Sequence, residues 1–391
     1  MDGVNGTPGA VHARWRDGKP RKTLRVAHLT PAYFSPDSVL GGGERYVYYL
    51  AHCLRGDPGF RQCVFTVGPD DRLFGRDGIP VRVLRNESPL PDAMDGFSSA
   101  LWRELSGFDL VHLHQCLTTF GAYSLAITRS MGIATVGTDL GGGGDGDQLM
   151  TTRRGMGLLD GVVSISRYAH NMISSFFTGP HEVLIGPVDT NRFTPVSDGG
   201  RRDPAMVLCV SRIMPHKGID RVIAALPPGL RLVVAGRVYH PDYYARLQQM
   251  AQGKDVTFIH DADDDALLDL YRSAGLFVQA STARDIYGNT VAKPELMGLT
   301  TLEAMACGLP AAVSDTGSLA ELVPDDRFGR VFRGDVELAA LLLDVEAGRW
   351  PSQDAAALAR YHVVKWHGMD AIGCRLADFY LSVLAAPVLA G

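Results

Sequence analysis

Two cations stand five residues apart in VLCVSRIMPHKGIDRVI (207–223), where Arg212 and Lys217 follow a run of apolar residues. A buried strand is expected to end at Ser211 and a helix to begin near Gly218. Arg offers a planar fork of donors and Lys a compact charge, so the pair beside a helix N-terminus suits a diphosphate. The plainer alternative is two solvated surface charges, with His216 exposed between them. In ELMGLTTLEAMACGLP (295–310), Gly298 precedes a short helix and Gly308-Leu-Pro310 ends it. Glu303 lies three residues after Thr300, which is a capping-box spacing. A carboxylate there also accepts from two vicinal hydroxyls, as ribose recognition requires. Glu295, eight residues earlier and in a loop, is placed to grip sugar hydroxyls. A third stretch, Gly41-Gly-Gly-Glu44, opens a helix after the first strand; its glycines let backbone N–H groups approach an anion, or simply form a turn. The acidic run His260–Asp265 invites a metal reading, but it precedes a helical pattern, so an N-cap with acids against the helix dipole explains it better.

The elements that must position these residues belong to an ordinary globular chain. Its 391 residues are 46% hydrophobic and 21% charged, which excludes disordered, collagenous and membrane-embedded classes. The net charge of −5 argues against a broad binder of nucleic-acid backbone. Six scattered cysteines form no C-x-x-C pair, so reduced thiols and a cytoplasmic setting are expected. The first 25 residues hold six cations against two acids, the composition of a solvated disordered tail over 1–22 or of a peripheral contact with the inner, anionic membrane face. The apolar stretch Ala377–Ala390 is too short and too interrupted to span a bilayer.

Short apolar runs alternate with helical patterns along the chain. Leu24–Leu29, Gln62–Val67, Val81–Leu84, Leu110–His114, Ile133–Val136 and Val162–Ile165 form one set of expected strands. Met206–Val210, Arg231–Ala235, Val256–Ile259, Leu276–Gln279 and Ala311–Val313 form a second. Buried, non-alternating strands between helices predict an α/β protein with parallel sheets covered on both faces. The polar stretch 195–204 reads as a linker. The expected divisions are a tail (1–22), two doubly wound domains (23–195 and 203–365) and a C-terminal helix (366–391).

Taken in order, these motifs resemble the retaining glycosyltransferases of GT-B fold known as family 4. VSRIMPHKGIDRVIAAL is similar to that family's strand–Arg-x4-Lys–helix unit, and ELMGLTTLEAMACGLPAAVSDTGSLAELV to its donor-site signature with two Glu eight apart. The resemblance implies two doubly wound Rossmann-like domains facing across a cleft, and transfer of a sugar from UDP- or GDP-sugar to a glycan, lipid-linked saccharide or small metabolite. It implies no cofactor and no essential metal. Arg212 and Lys217 would neutralise the leaving diphosphate, Glu295 would contact the sugar and Glu303 the ribose. Backbone groups at Gly298, Leu299 and Thr300 would meet the diphosphate, Gly42 and Gly43 would approach it from the other domain, and the base would lie near His260 and Asp261. Acceptor contacts would come from Glu44–Tyr49, Gln115–Thr119 and Gly141–Asp147. Two departures stand out. Where many members carry a His after the strand IATVGTDLGG, this chain has Asp139 and Leu140, so Asp139 is the candidate group facing the reacting sugar, or else a turn residue. The stretch 284–294 is also longer than the simplest family pattern. An epimerase or phosphorylase on the same fold, or a non-catalytic nucleotide-sugar-binding subunit, are the competing readings.

Overall fold

The computed structural model describes residues 22–32, 42–90, 92–141, 150–196 and 202–386. The basic stretch 1–21, most of Gly141–Asp147 and half of the 195–204 stretch lie outside the described residues. The chain forms two compact units: residues 1–163, 174–182 and 372–391, and residues 164–173 and 183–371. The division therefore runs after Val163 and Glu182 rather than through 195–204, and Asp203 and Pro204 of that stretch belong to a strand.

In the first unit β1 (Leu24–Leu29), α1 (Gly42–Cys53), β2 (Phe60–Gly68), β3 (Arg72–Arg76), β4 (Ile79–Arg85), α2 (Leu101–Glu104), β5 (Leu110–His114), α3 (Thr119–Ser130), β6 (Ala134–Thr138), α4 (Arg153–Met156) and β7 (Gly161–Ser164) follow one another. Then α5 (Arg167–Ile173), which belongs to the second unit, precedes β8 (His181–Val183). The sheet order is β3-β4-β2-β1-β5-β6-β7-β8. The chain adds β2 to one side of β1 and β5 to the other, both parallel. β5 is buried along its whole length, which fits a strand covered on both faces. β3 was not foreseen: RLFGR is exposed, and it pairs antiparallel with β4 as an edge hairpin. Its two apolar residues, Leu73 and Phe74, stand exposed between arginines, so the segment carries no buried-strand signal.

The second unit contains β9 (Asp203–Val210), α6 (Ile219–Ala225), β10 (Arg231–Ala235), α7 (Pro241–Met250), β11 (Val256–Ile259), α8 (Asp264–Ser273), β12 (Ala274–Gln279), α9 (Leu299–Ala306), β13 (Ala311–Ser314), β14 (Gly329–Phe332), α10 (Gly334–Glu346) and α11 (Ala355–Trp366). Its sheet order is β11-β10-β9-β12-β13-β14, so here the order reverses between β9 and β12. The core is built from Val207, Cys209, Val222, Leu232, Val234, Leu276 and Val278, among others. The final helix, α12 (Met369–Ala385), leaves this unit after Ala371 and packs on the first. Small residues make room for it. A Cβ at Gly373 would lie 2.6 Å from the Cys53 carbonyl oxygen, and one at Gly161 would lie 2.9 Å from Phe379 and Val383. No helix among the described residues is long and apolar enough to cross a membrane.

Beneath α12 the first unit buries three histidines completely, His28 on β1 and His112 and His114 on β5. Their hydrogen bonds fix their tautomers. The Gln62 amide N–H₂ donates to the Ala51 carbonyl, so its oxygen accepts from His28 Nε2 at 2.8 Å. His28 Nδ1 then accepts from His114 Nε2 at 3.0 Å. Thr138 Oγ1 donates to the Val163 carbonyl and accepts from His112 Nε2 at 2.7 Å, so His112 Nδ1 accepts from the Tyr380 hydroxyl of α12 at 2.6 Å. The His112 and His114 rings stack with centroids 4.3 Å apart. Every ring nitrogen except the buried His114 Nδ1, which has no hydrogen-bond partner among the described residues, is engaged, and with these tautomers the three rings form a neutral hydrogen-bonded cluster. Burial holds the His28 pKa down to about 4, and burial together with the neighbouring imidazoles holds His112 and His114 well below their usual value.

The linkage sign follows from these depressed values. Well above pH 6.5 neither the folded nor the unfolded state protonates these rings; below it the unfolded chain takes up protons that the folded core refuses, His28 until near pH 4. Stability is therefore complete above pH 6.5 and falls as the pH drops towards 4. Urea unfolding at pH 7 and pH 5 should show a loss of about 2 kcal/mol per buried histidine at the lower pH. A midpoint that does not move would mean the rings titrate normally in the folded state.

Candidate functional site

In an open parallel sheet, ligands bind beyond the carboxyl ends of the strands where the strand order reverses. In the second unit that point lies between β9 and β12. The chain leaves β9 at Val210 and passes exposed Arg212 and a single 3-10 turn, Pro215–Lys217, before Gly218 starts α6. Gly218 has φ 65°, and a Cβ on it would sit 2.0 Å from the Ala280 carbonyl oxygen. The turn after β9 is therefore pressed directly onto the chain leaving β12, an approach only glycine permits. Thr282 N donates to the His216 carbonyl at 2.9 Å and locks the same contact.

This approach brings Lys217 to Glu295, two residues 78 positions apart in sequence. Lys217 Nζ lies 2.9 Å from Glu295 Oε2, and both side chains are nearly buried, at 12% and 13% exposure. Two neutral donors join the same oxygen: Gln279 Nε2 at 2.6 Å and Ser281 Oγ at 3.2 Å. Burial works to raise the Glu295 pKa, but the Lys217 charge and the hydrogen bonds outweigh it, so the net shift is downward and the carboxylate stays ionised. The backbone of Glu295 is fixed from behind. Ser318 N donates to its carbonyl at 3.1 Å, and Gly317, at φ 61°, leaves no space for a Cβ against that carbonyl. His216 is half-buried rather than exposed as its neighbours suggested; burial first, then the Lys217 charge, brings its pKa down to about 4. The imidazole is thus neutral near pH 7, and Arg212 and Lys217 carry the local positive charge. The Arg212 guanidinium lies 5.3 Å from the centroid of the Tyr239 ring.

Other expected residues fall on the same end of this unit. Gly298, at φ 79°, is the N-cap of α9 without a side-chain cap bond, so Thr300 is inside the helix and the Thr300–Glu303 capping box does not form. Helix α9 thus begins directly after Gly298, with Leu299 and Thr300 in its first turn. Glu303 is 3% exposed, and its Oε2 accepts from the Tyr271 hydroxyl at 3.1 Å. His260 directly follows β11, with one ring nitrogen 3.2 Å from the Gly236 carbonyl and the other 2.9 Å from the Tyr244 hydroxyl; Asp261 beside it is exposed. Asp263 caps α8 by accepting from the amides of Asp265 and Ala266, which accounts for the acidic run. The long stretch 284–294 forms a small turn: Arg284 bridges Thr290, and Asp285 Oδ1 accepts from the amides of Tyr287 and Asn289. Its Tyr287 ring stacks on His240 with centroids 5.9 Å apart.

In the first unit the strand order reverses between β1 and β5. Gln115, directly after β5, is 9% exposed and adopts φ 58°, an uncommon left-handed conformation for a residue with a side chain. A Cβ on Gly43 of α1 would stand 3.9 Å from both the Gln115 amide and Leu140. Gly42 and Gly43 therefore lie in the first turn of α1, with Glu44 half-buried beside them. Asp139, 9% exposed, accepts from Gly141 N at 3.0 Å, the geometry of an Asx-turn. Residues from three separate stretches thus meet at one end of the sheet.

Residues 40–192 match the family described as Glycosyltransferase Family 4, and residues 194–355 match that described as Glycosyl transferases group 1. The chain belongs to the family-4 type of GT-B glycosyltransferases. It is similar to a GDP-mannose-dependent alpha-(1-6)-phosphatidylinositol monomannoside mannosyltransferase of Mycolicibacterium smegmatis, 32% identical over 200 residues that make up 45% of this chain and 49% of the relative. The match thus spans about half the length of that protein. The fold is shared with sucrose-phosphate synthase from Thermosynechococcus elongatus (TM-score 0.71, 20% identity, 93% of this chain and 100% of that one). It is shared equally with Anabaena HepE solved in complex with UDP (TM-score 0.70, 18% identity, 92% and 100%).

Gln279, Ser281, Thr301 and Gly317 were not singled out from sequence. The available signal was a polar residue closing the apolar run LFVQ and a glycine after β13. The nearly buried ion pair gives a direct check. Lys217→Met should strand a carboxylate in a low-dielectric site and destabilise the fold by about 3 kcal/mol, whereas adding Glu295→Gln should recover most of it. Additive losses in urea unfolding would show that the two side chains do not interact.

Proposed function

We propose that this protein transfers a glycosyl group from a nucleoside-diphosphate sugar, UDP- or GDP-linked, to an acceptor hydroxyl with retention at the anomeric carbon. The observation that carries this reading is the Lys217–Glu295 pair at the strand reversal of the second unit, with Arg212 nearby in the same turn. Family membership, the UDP in HepE and the GDP-mannose dependence in the relative's name support it. Donor binding is assigned to the second unit and acceptor recognition to the first, through Glu44, Gln115 and Asp139.

In the proposed reaction the bond between the anomeric carbon and the diphosphate oxygen breaks, and the acceptor oxygen bonds to that carbon on the same face. The acceptor proton passes to the departing phosphate. Charge builds on the phosphate and on the oxocarbenium-like sugar. Arg212 and Lys217 balance the first; the Lys217 ammonium has three donors, so it holds Glu295 with one and keeps others for the phosphate. Backbone N–H groups of Leu299 and Thr300 at the start of α9 add partial positive charge. Glu295 accepts from sugar hydroxyls, Glu303 from the ribose, and the base lies near His260 and Asp261. Gly42 and Gly43 serve the diphosphate, and no metal takes part. The acceptor is a lipid-linked saccharide, as in the relative's name, or a small hydroxylated metabolite. The protein acts in the cytoplasm.

A calorimetric screen of UDP, GDP, ADP and their sugars, with and without EDTA, should give one preferred base unaffected by the chelator. No binding to any nucleotide would overturn the assignment. Arg212→Ala and Lys217→Ala should each lower turnover by about a hundredfold, with a nearly unchanged melting temperature for Arg212→Ala. Glu303→Gln should weaken nucleotide binding; unchanged affinity with a lower melting temperature would make Glu303 a structural partner of Tyr271 instead.

A further inference from the structure

Gln279 is the last residue of β12 and is 6% exposed at the end of an otherwise apolar strand. A buried amide is costly unless both its ends are satisfied. Here both are. Its nitrogen donates to Glu295 Oε2 at 2.6 Å, and its oxygen accepts from Thr301 Oγ1 at 2.5 Å. The chemistry permits only this orientation. An ionised carboxylate accepts and never donates, so the amide N–H₂ must face Glu295. Its oxygen then faces the Thr301 hydroxyl, which must donate.

We propose that Gln279 is a positioning residue for Glu295, and that the chain Thr301–Gln279–Glu295 sets which carboxylate oxygen is presented to the donor sugar. The proposal rests on Glu295 being the sugar-gripping group. Oε2 receives three donors, from Lys217, Gln279 and Ser281, which occupies its lone pairs and leaves Oε1 as the oxygen that accepts from a hydroxyl. Of the three, Gln279 makes the shortest bond. Lys217 is shared with the diphosphate and must readjust as charge leaves the sugar. Gln279 is neutral and locked at its other end. Thr301 lies in the first turn of α9, beside the Leu299 and Thr300 amides. The chain therefore couples the helix start that meets the diphosphate to the carboxylate that meets the sugar. A site fixed this way before substrate arrives loses no energy to reorganisation during transfer.

The test uses the full chain with Gln279→Leu, which keeps the volume and removes both hydrogen bonds, and with Thr301→Val and Thr301→Ser. Three readouts are taken: UDP and GDP affinity, turnover of the preferred nucleotide sugar against pH, and the titration of Glu295 followed by carboxyl ¹³C NMR, assigned by Glu295→Gln. Gln279→Leu should lower kcat by about tenfold to a hundredfold while the affinity for nucleotide without sugar stays within about twofold. Losing a donor on the carboxylate raises its pKa, so the acid limb of the pH profile and the NMR midpoint should both move to higher pH. Thr301→Val should shift both in the same direction by less, and Thr301→Ser should restore most of what Thr301→Val loses. Wild-type turnover in Gln279→Leu, or an unmoved Glu295 midpoint, overturns the proposal. Equal loss of nucleotide affinity and melting temperature also overturns it, since that marks a packing role. If the wild-type protein releases no nucleoside diphosphate from any donor, the glycosyl-transfer reading fails, and the NMR midpoint still decides whether Gln279 positions Glu295.

Discussion

The organising feature of the second unit is one oxygen atom. Glu295 Oε2 collects an ammonium, an amide and a hydroxyl that come from three different points in the chain: the turn after β9, the end of β12 and the residues just beyond it. A nearly buried carboxylate would be expelled or neutralised without such partners. The site therefore exists only if the two strand ends meet at the right height. Gly218 and Gly317 are the two backbone positions that allow it, one under the Lys217 turn and one behind the Glu295 carbonyl. A side chain at either would force apart the elements that supply the donors.

The first unit solves a different problem with the same economy. Three imidazoles are placed where hydrophobic residues would normally fill the space, and each depends on being neutral. An amide and two hydroxyls fix their tautomers, and the Tyr380 hydroxyl ties the cluster to the last helix. That helix covers the sheet through glycine contacts at Gly161 and Gly373. Satisfied at every ring nitrogen but His114 Nδ1, such a network specifies one packing arrangement; with one member charged, the whole cluster would need to open.

Membership of a glycosyltransferase family gives the fold and the class of chemistry, but function lies in the particular site. Here the family's paired Glu residues behave differently from each other. Glu295 is held as an ionised group with one side occupied by donors. Glu303 is buried within α9 and engages Tyr271. The long 284–294 stretch folds into a turn closed by its own Asp285, with the Tyr287 ring stacked on His240.

The amino-acid sequence by itself determined the α/β class, most strands of both sheets, and the strand–Arg-x4-Lys–helix and paired-Glu motifs. These are local signals: runs of buried residues, helix signals and glycine positions carry their meaning within about twenty residues. It could not show the edge strand β3, whose residues are largely exposed, nor that the Thr300–Glu303 capping box fails to form. The tertiary structure alone decided that Lys217 meets Glu295 across 78 residues, and that Gln279 and Thr301 stand behind them. It also decided that His112 finds Tyr380 across 268 residues. Such pairings depend on which strands become neighbours and at what register. A polar residue at the end of an apolar strand does not reveal its partner until the sheet has been assembled.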